Sequence, residues 1–544
     1  MNKLAGFVFC IVAFVFASCH IDQSSSKKTI FNINLDEGLS SLDPAFARNQ
    51  NTIWMVNQVY NGLVQIDDSL KTRPCIAKSW EISPNGLSYI FHLRKDVCFH
   101  DCPLFKGGVG RRVVAGDFVY SFHRLIDPKV ASSGSWIFSD KICDTPFTAV
   151  NDSTLRIKLR QPFPPLLSML TAQYCSVVPH EVVGYYGKDF RQHPIGTGPF
   201  KFKYWKEGEV MVLLKNEKYW EKDKDGSALP HLDAVRATFI GDKQTAFMEF
   251  VSGKLDFLND IDGSYRDDIF TKGGRVTQKY KGKFTVNTGP FLNTIYLGML
   301  VDSNLAIVKS SPLKKLKIRQ AINYAIDKQK MIKYLRNSLG TPGTAGFIPM
   351  GMPGFDASAV KGYSYNPDKA RQLLKEAGYP DCKGLPEITL HTTVGYRGLI
   401  EYVQGQLEKI GIKTNVEITQ GASLRELVSK NGVNFFYGSW IADYPDGENY
   451  LSVFYSKNKI PYGPNYTGFN NKQFDALFEQ AYHEVNDEKR YTLYRQMDNL
   501  VMQQSPVVIL YYDKRVNLYQ NNISGYSVNG QNLLTLKRVK KGGP

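Results

Sequence analysis

Apolar and polar residues alternate from Thr29 to Leu35 (TIFNINL), the period of two that marks a strand with one buried face. Asp43-Pro44 then reads as a turn, and Ile53, Val56 and Tyr60 recur at helical spacing. Ser83-Pro84-Asn85-Gly86 is a strong turn, so the alternating run Leu87 to Leu93 is expected to return as the second strand of a hairpin. Gly196-Thr-Gly-Pro-Phe200 punctuates the chain again and leads into a strand-like stretch from Lys201 to Leu214; without a third glycine or a following helix it is no nucleotide motif. From Ile318 to Leu335 the period is helical, with Asp327 placed to cap a second helix. Asn366-Pro367-Asp368 opens a further helix with a cap, a proline at its first position and an acid in its first turn, and Gly378 closes it.

The stretch 387–443 predicts a β-α-β-α-β run: strands at 387–394, 412–419 and 433–440, with helices at 397–410 and 423–429. Such a run implies parallel strands joined by right-handed crossovers, in an α/β architecture. Ligands bind such sheets at the carboxyl ends of the strands. Arg397 follows the first strand and Asp443 the third, so a cation and an anion are expected at one edge, on the order of 5–10 Å apart for strands spaced about 4.8 Å. An extended dipeptide, spanning roughly 7 Å, would fit between them as a zwitterion. The same residues also read as turn chemistry (Asp443-Tyr444-Pro445-Asp446-Gly447) and as a solvated helix end at Arg397.

The first residues change the picture by placing the protein. Lys3, the apolar run Leu4 to Phe16 and the small pair Ala17-Ser18 form a secretory signal over 1–18, too short for a membrane span. Cys19 directly after the small pair resembles a bacterial lipobox, although Phe16 stands where that motif usually has Leu; it implies lipidation of Cys19, with 19–28 as a polar tether. No later segment is apolar enough to span a bilayer, so the body is expected outside the cytoplasm. With 544 residues, 43% hydrophobic, the chain has material for about three units. The balance 67 − 51 = +16 invites nucleic acid as a partner, but the basic residues are scattered and their densest cluster, Leu536 to Lys541, reads as a tail near anionic lipid. Of the eight cysteines, Cys10 leaves with the signal and Cys19 takes the lipid. Cys75, Cys98, Cys102, Cys143, Cys175 and Cys382 are expected as disulfides or plain buried thiols rather than a metal site, because no second close pair follows Cys98-x3-Cys102. No metal or cofactor is expected.

Across the mature chain, Leu42-Asp-Pro44, Ile76-Ala-Lys-Ser-Trp-Glu81 through Phe91-His-Leu-Arg-Lys-Asp-Val97, Asp117-Phe-Val-Tyr-Ser-Phe122, Gly196 to Phe200 and Ile318 to Asp327 occur in the order found in the solute-binding proteins of peptide ABC importers, extracellular family 5. The chain resembles that family, which implies a type II periplasmic-binding-protein-like fold. Lobe I would comprise 29–55, 190–290 and 510–544, lobe II 56–189, and lobe III 291–509. The resemblance further implies that Asp443 pairs with a peptide α-ammonium, that Ser439, Trp440 and Ile441 pair with the peptide main chain, and that Arg397 meets the carboxylate. Arg48 to Gln50 correspond only in position to the family's opposing strand. Implied partners are short peptides, ABC permease subunits and the membrane through the lipid, with the protein itself a monomer. Departing from the family, a basic insertion, Phe105 to Arg112, reads as surface elaboration or as a permease-docking feature. The rival readings are relatives that bind nickel, haem or oligosaccharides, and a glycosidase pairing Asp443 with Asp446 or Glu448. Against an enzyme, the chain has no G-x-S-x-G, and His180-Glu181-Val-Val-Gly184 lacks the final histidine of a zinc motif.

Overall fold

In the computed structural model, which describes residues 28–543, the first alternating run becomes β1 (Ile30–Asn34), with Phe31 and Ile33 inward. Asn49 caps α1 (Gln50–Val59) by accepting from Thr52 N–H. The turn at 83–86 joins β2 (Ala77–Ile82) to β3 (Ser88–Leu93); Gly86 takes φ +68° there, a conformation that costs glycine little. With β4 (Ile142–Asn151) and β5 (Thr154–Leu159) these strands form an antiparallel sheet in the order β2-β3-β5-β4. Helix α2 (Ala115–Ile126) packs on it, Phe122 lying 5.1 and 5.3 Å from the rings of Phe138 and Phe147.

A larger sheet takes in β6 (Phe200–Lys206), β7 (Val210–Lys215), β8 (Ala234–Thr238), β9 (Phe257–Asn259), β10 (Thr285–Met299), β11 (Ile388–Thr392), β12 (Thr414–Ile418), β13 (Phe435–Ile441) and β14 (Val507–Tyr519). Its order is β12-β11-β13-β10-β14-β9-β1-β8-β7-β6. The stretch 201–214, expected as strand throughout, is a hairpin instead, because Gly208 at φ +72° turns the chain between β6 and β7. The parallel pairing of β11 with β12 and β13 is as expected. Helices α3 (Leu316–Ala325) and α4 (Lys328–Leu335) meet at Asp327, which accepts from Lys330 N–H; in α5 (Pro367–Glu376), Asn366 caps Lys369 N–H. The crossovers contain α6 (Arg397–Glu408) and α7 (Gly421–Ser429).

Two long neighbouring strands run through the middle of the large sheet. β10 and β14 pair from Thr285–Tyr519 to Pro290–Lys514, lose register between Pro290 and Thr294, and pair again from Thr294–Tyr512 to Gly298–Val507. β9 joins β14 on one side of that break and β13 joins β10 on the other.

The insertion at 105–112 is bound into the body rather than free. Arg111 forms a fork with Asp117 (2.7 and 2.9 Å) and meets Glu181 (2.5 and 2.8 Å), with its guanidinium 5.0 Å from the Phe99 ring. Of the alternatives left open for the cysteines, the structure has free thiols at all six described positions, with Cys75, Cys102 and Cys175 buried. Burial pushes the Cys75 thiol up to about 12. Cys19, the signal and most of the tether lie outside the described residues.

Candidate binding site

Beyond Phe436, β13 carries an edge that no strand pairs among the described residues. Ala442 N–H donates to Leu292 O where the strand leaves the β10 ladder, and successive residues of an antiparallel strand serve opposite edges. Phe436, Gly438 and Trp440 therefore bond to β10, while Tyr437, Ser439 and Ile441 direct their N–H and C=O groups the other way. β11 reaches that second edge at the pair His391–Phe436 and then diverges. Ser439 and Ile441 are exposed and Trp440 is half-buried.

Immediately beyond the strand stands Asp443. Its surface is open, yet the surrounding protein mass desolvates the carboxyl and raises its pKa above the usual 3.8, opposed by a hydrogen bond from Asn449 Nδ2 at 3.3 Å. Such a carboxyl lines a cleft, reachable by water and enclosed by protein. Asn449 Oδ1 also accepts from Trp440 Nε1 (3.1 Å) and Asp443 N–H (3.4 Å). Asn449, which no motif marks, thus fixes the relative position of Trp440 and Asp443.

The facing wall comes from far away in sequence. Trp136 stacks on Tyr444 with centroids 5.9 Å apart, and Phe163 lies 5.2 Å from Tyr482. Burial raises the pKa of Tyr174; Ser133 opposes, Asp443 raises it further and Arg48 lowers it, so these groups share one electrostatic neighbourhood. Arg48 also lines a cavity of about 1070 Å³ with Asp43, Tyr120, His123, Arg124 and Ser133, where Arg124 is forked onto Asp43 (2.5 and 2.9 Å). Position alone pointed to Arg48; nothing in the sequence pointed to Trp136 or Tyr174.

Arg397 follows β11, which runs parallel to β13, the strand that Asp443 follows. It opens α6, is exposed, and binds Glu401 one turn on at 2.8 Å; no contact joins it to Asp443 among the described residues. Its neighbour Tyr396 does reach the edge strand, stacking on Tyr437 at 4.0 Å. The carboxylates of the glycosidase reading face inward. Asp446 accepts from Tyr494 Oη (2.7 Å) and pairs with Arg490, while Glu448 accepts from Tyr444 and from Tyr482 Oη (3.1 Å), both carboxylates buried. Neither offers the second cleft-facing carboxylate that a glycosidase needs.

Residues 71–462 match the model for bacterial extracellular solute-binding proteins, family 5. The chain belongs to that family. Among relatives of this family-5 protein, the glutathione-binding protein GsiB of Shigella dysenteriae serotype 1 is 26% identical over 522 residues, 95% of this chain and 94% of the relative. Among solved structures, HbpA2 from Haemophilus parasuis superposes with a TM-score of 0.80 at 23% identity, over 94% of this chain and 100% of that one. DppA from Helicobacter pylori, in complex with peptide STSA, gives 0.74 at 24%, covering 95% and 99%. The fold is thus the type II periplasmic-binding-protein fold. Family membership makes the chain a solute-binding component serving an ABC importer. No helix among the described residues is long and apolar enough to cross a membrane.

Proposed function

We propose that this family-5 protein binds short peptides outside the cytoplasm and hands them to an ABC importer, with Cys19 as its lipid anchor and three lobes closing around the ligand. The observation that carries this reading is the unpaired edge of β13 ending at a desolvated carboxylate. An edge strand recognises an extended peptide through main-chain hydrogen bonds, independent of side-chain identity. Ser439 to Ile441 supply those bonds, and Asp443 neutralises the α-ammonium. Arg397 is proposed for the carboxylate of a dipeptide; its surface pair with Glu401 is cheap to exchange, at about 0.3–0.5 kcal/mol. The resemblance to a glutathione-binding relative supports a peptide-like ligand with a free amine.

The test is a double cycle of wild type and Asp443→Ala against one tripeptide in free and N-acetylated forms, read by titration calorimetry. Leaving one partner of an enclosed ion pair alone costs about 3–5 kcal/mol. The free peptide is therefore expected to lose two or more decades of affinity on mutation, and the acetylated peptide far less. Additive losses would show that Asp443 does not meet the amine. Membrane fractionation of Cys19→Ser tests the anchor, which predicts a folded protein in the soluble fraction.

A further inference from the structure

Beside the unpaired edge lies a cavity of about 780 Å³. One wall is the edge strand itself at Gly438, Ser439 and Trp440; a second is the stacked pair Tyr396 and Tyr437; the third is α7, through Leu424, Arg425 and Val428. Gly438 matters here because a Cβ at that position would meet the Tyr296 ring at 2.7 Å, so its absence lets a further aromatic ring close the cavity floor. Of the two charged residues in the lining, Glu426 is held by Lys430 at 2.6 Å, whereas Arg425 has no carboxylate partner among the described residues.

We propose that this cavity is a side-chain pocket that selects peptides with an aromatic residue, Phe, Tyr or Trp, at position one or two. The inference rests on the peptide reading above. Three observations set the occupant. Six aromatic residues, Tyr296, Tyr396, Phe436, Tyr437, Trp440 and Tyr466, contribute to the lining, and such a lining favours another ring in offset or edge-on contact. An unpaired guanidinium at the lining adds a cation for its π-face. The volume admits the largest aromatic side chain with space to spare, and lies within the range of built ligand pockets. Position follows from Asn449, which ties the Trp440 indole in the pocket wall to the Asp443 carboxylate, so the pocket opens next to the ammonium site.

The experiment compares Ala-Ala-Ala, Phe-Ala-Ala, Ala-Phe-Ala and Ala-Ala-Phe by calorimetry on wild type, Gly421→Trp and Arg425→Ala. Gly421 lines the pocket at the start of α7, where a Cβ meets only Arg425 Nη1 at 3.5 Å and Thr393 at 4.0 Å, so a Trp side chain has room to project into the cavity and take the place of a ligand ring. Wild type is expected to bind one of the first two Phe peptides at least about tenfold more tightly than Ala-Ala-Ala. Gly421→Trp should erase that preference while keeping Ala-Ala-Ala affinity, and Arg425→Ala should reduce it a few-fold. Equal affinities for all four peptides in wild type, or a preference that survives Gly421→Trp in a protein with wild-type circular dichroism, would overturn the pocket and leave the peptide reading standing. If none of the four peptides binds, both fall.

Discussion

Asn449 holds Asp443 and Trp440 in one arrangement, donating to the Asp443 carboxylate at 3.3 Å while its carbonyl accepts from the Trp440 indole at 3.1 Å. Replacing it with Leu removes both bonds, together with the one from Asp443 N–H, and frees the carboxylate to rotate. With the bond to the carboxylate contributing about 1–1.5 kcal/mol, peptide affinity should fall about tenfold, measured by calorimetry, with Asp443 still present. An unchanged affinity would show that Asp443 is positioned by the backbone alone.

Desolvation raises the Asp443 pKa, so its charge is lost at a higher pH than for an ordinary aspartate. Peptide affinity should therefore decline on acidification before an exposed Asp would titrate, with binding releasing protons in that window. Calorimetry in buffers of different ionisation enthalpy reads the proton release directly, and Asp443→Asn should abolish it.

Glu448 sits at the seam between the small sheet and the far half of the large one, near Lys141, and burial first, then the Asp446 charge, pushes its carboxyl up to about 7. An acid whose folded pKa exceeds its unfolded value binds more protons when folded, so stability falls as pH rises between the two. From an ordinary value near 4.5 to about 7, the penalty reaches about 3 kcal/mol and is complete above pH 7. Asp498, buried and also pushed up to about 7, has the same sign. Thermal melts from pH 4.5 to 7.5 should show the decline, and Glu448→Gln should remove about half of its slope.

Trp136 and Tyr444 touch across the cleft, so their stacking exists only while the two walls are together. Trp136→Ala should speed peptide release several-fold and leave the association rate nearly unchanged, as stopped-flow fluorescence would show. An equal loss in both rates would place Trp136 in the stability of its own sheet instead.

Arg111→Ala leaves the buried carboxylate of Asp117 without its cation. The expected cost is about 3 kcal/mol, visible as a lower Tm with peptide affinity retained. A Tm equal to wild type would mean that the insertion is ornamental.

The elements were legible wherever the signal is local. Caps at Asp327 and Asn366 and the crossover run 387–443 depend on residues within a few positions of one another. The hairpin at 201–214 was hidden because alternation continues through a turn marked by Gly208 alone. Asp443 could be placed because it follows a strand in a parallel run, whereas Asn449 six residues on and Trp136 some three hundred before have no local pattern that reports their convergence. Arg111 looked like surface charge because Glu181, 70 residues later, meets it only in three dimensions.

The interruption in the β10–β14 ladder between Pro290 and Thr294 has a mechanical meaning. Two chains cross there side by side, each clamped by hydrogen bonds above and below, so neither can swivel without the other. Bending where the two strands do not pair with each other would be softer than torsion or sliding, which would tear the flanking pairs. On the proposed closure the molecule would work like a door on a single axle: the far side would swing along one arc, and a membrane partner would need to sense only one angle.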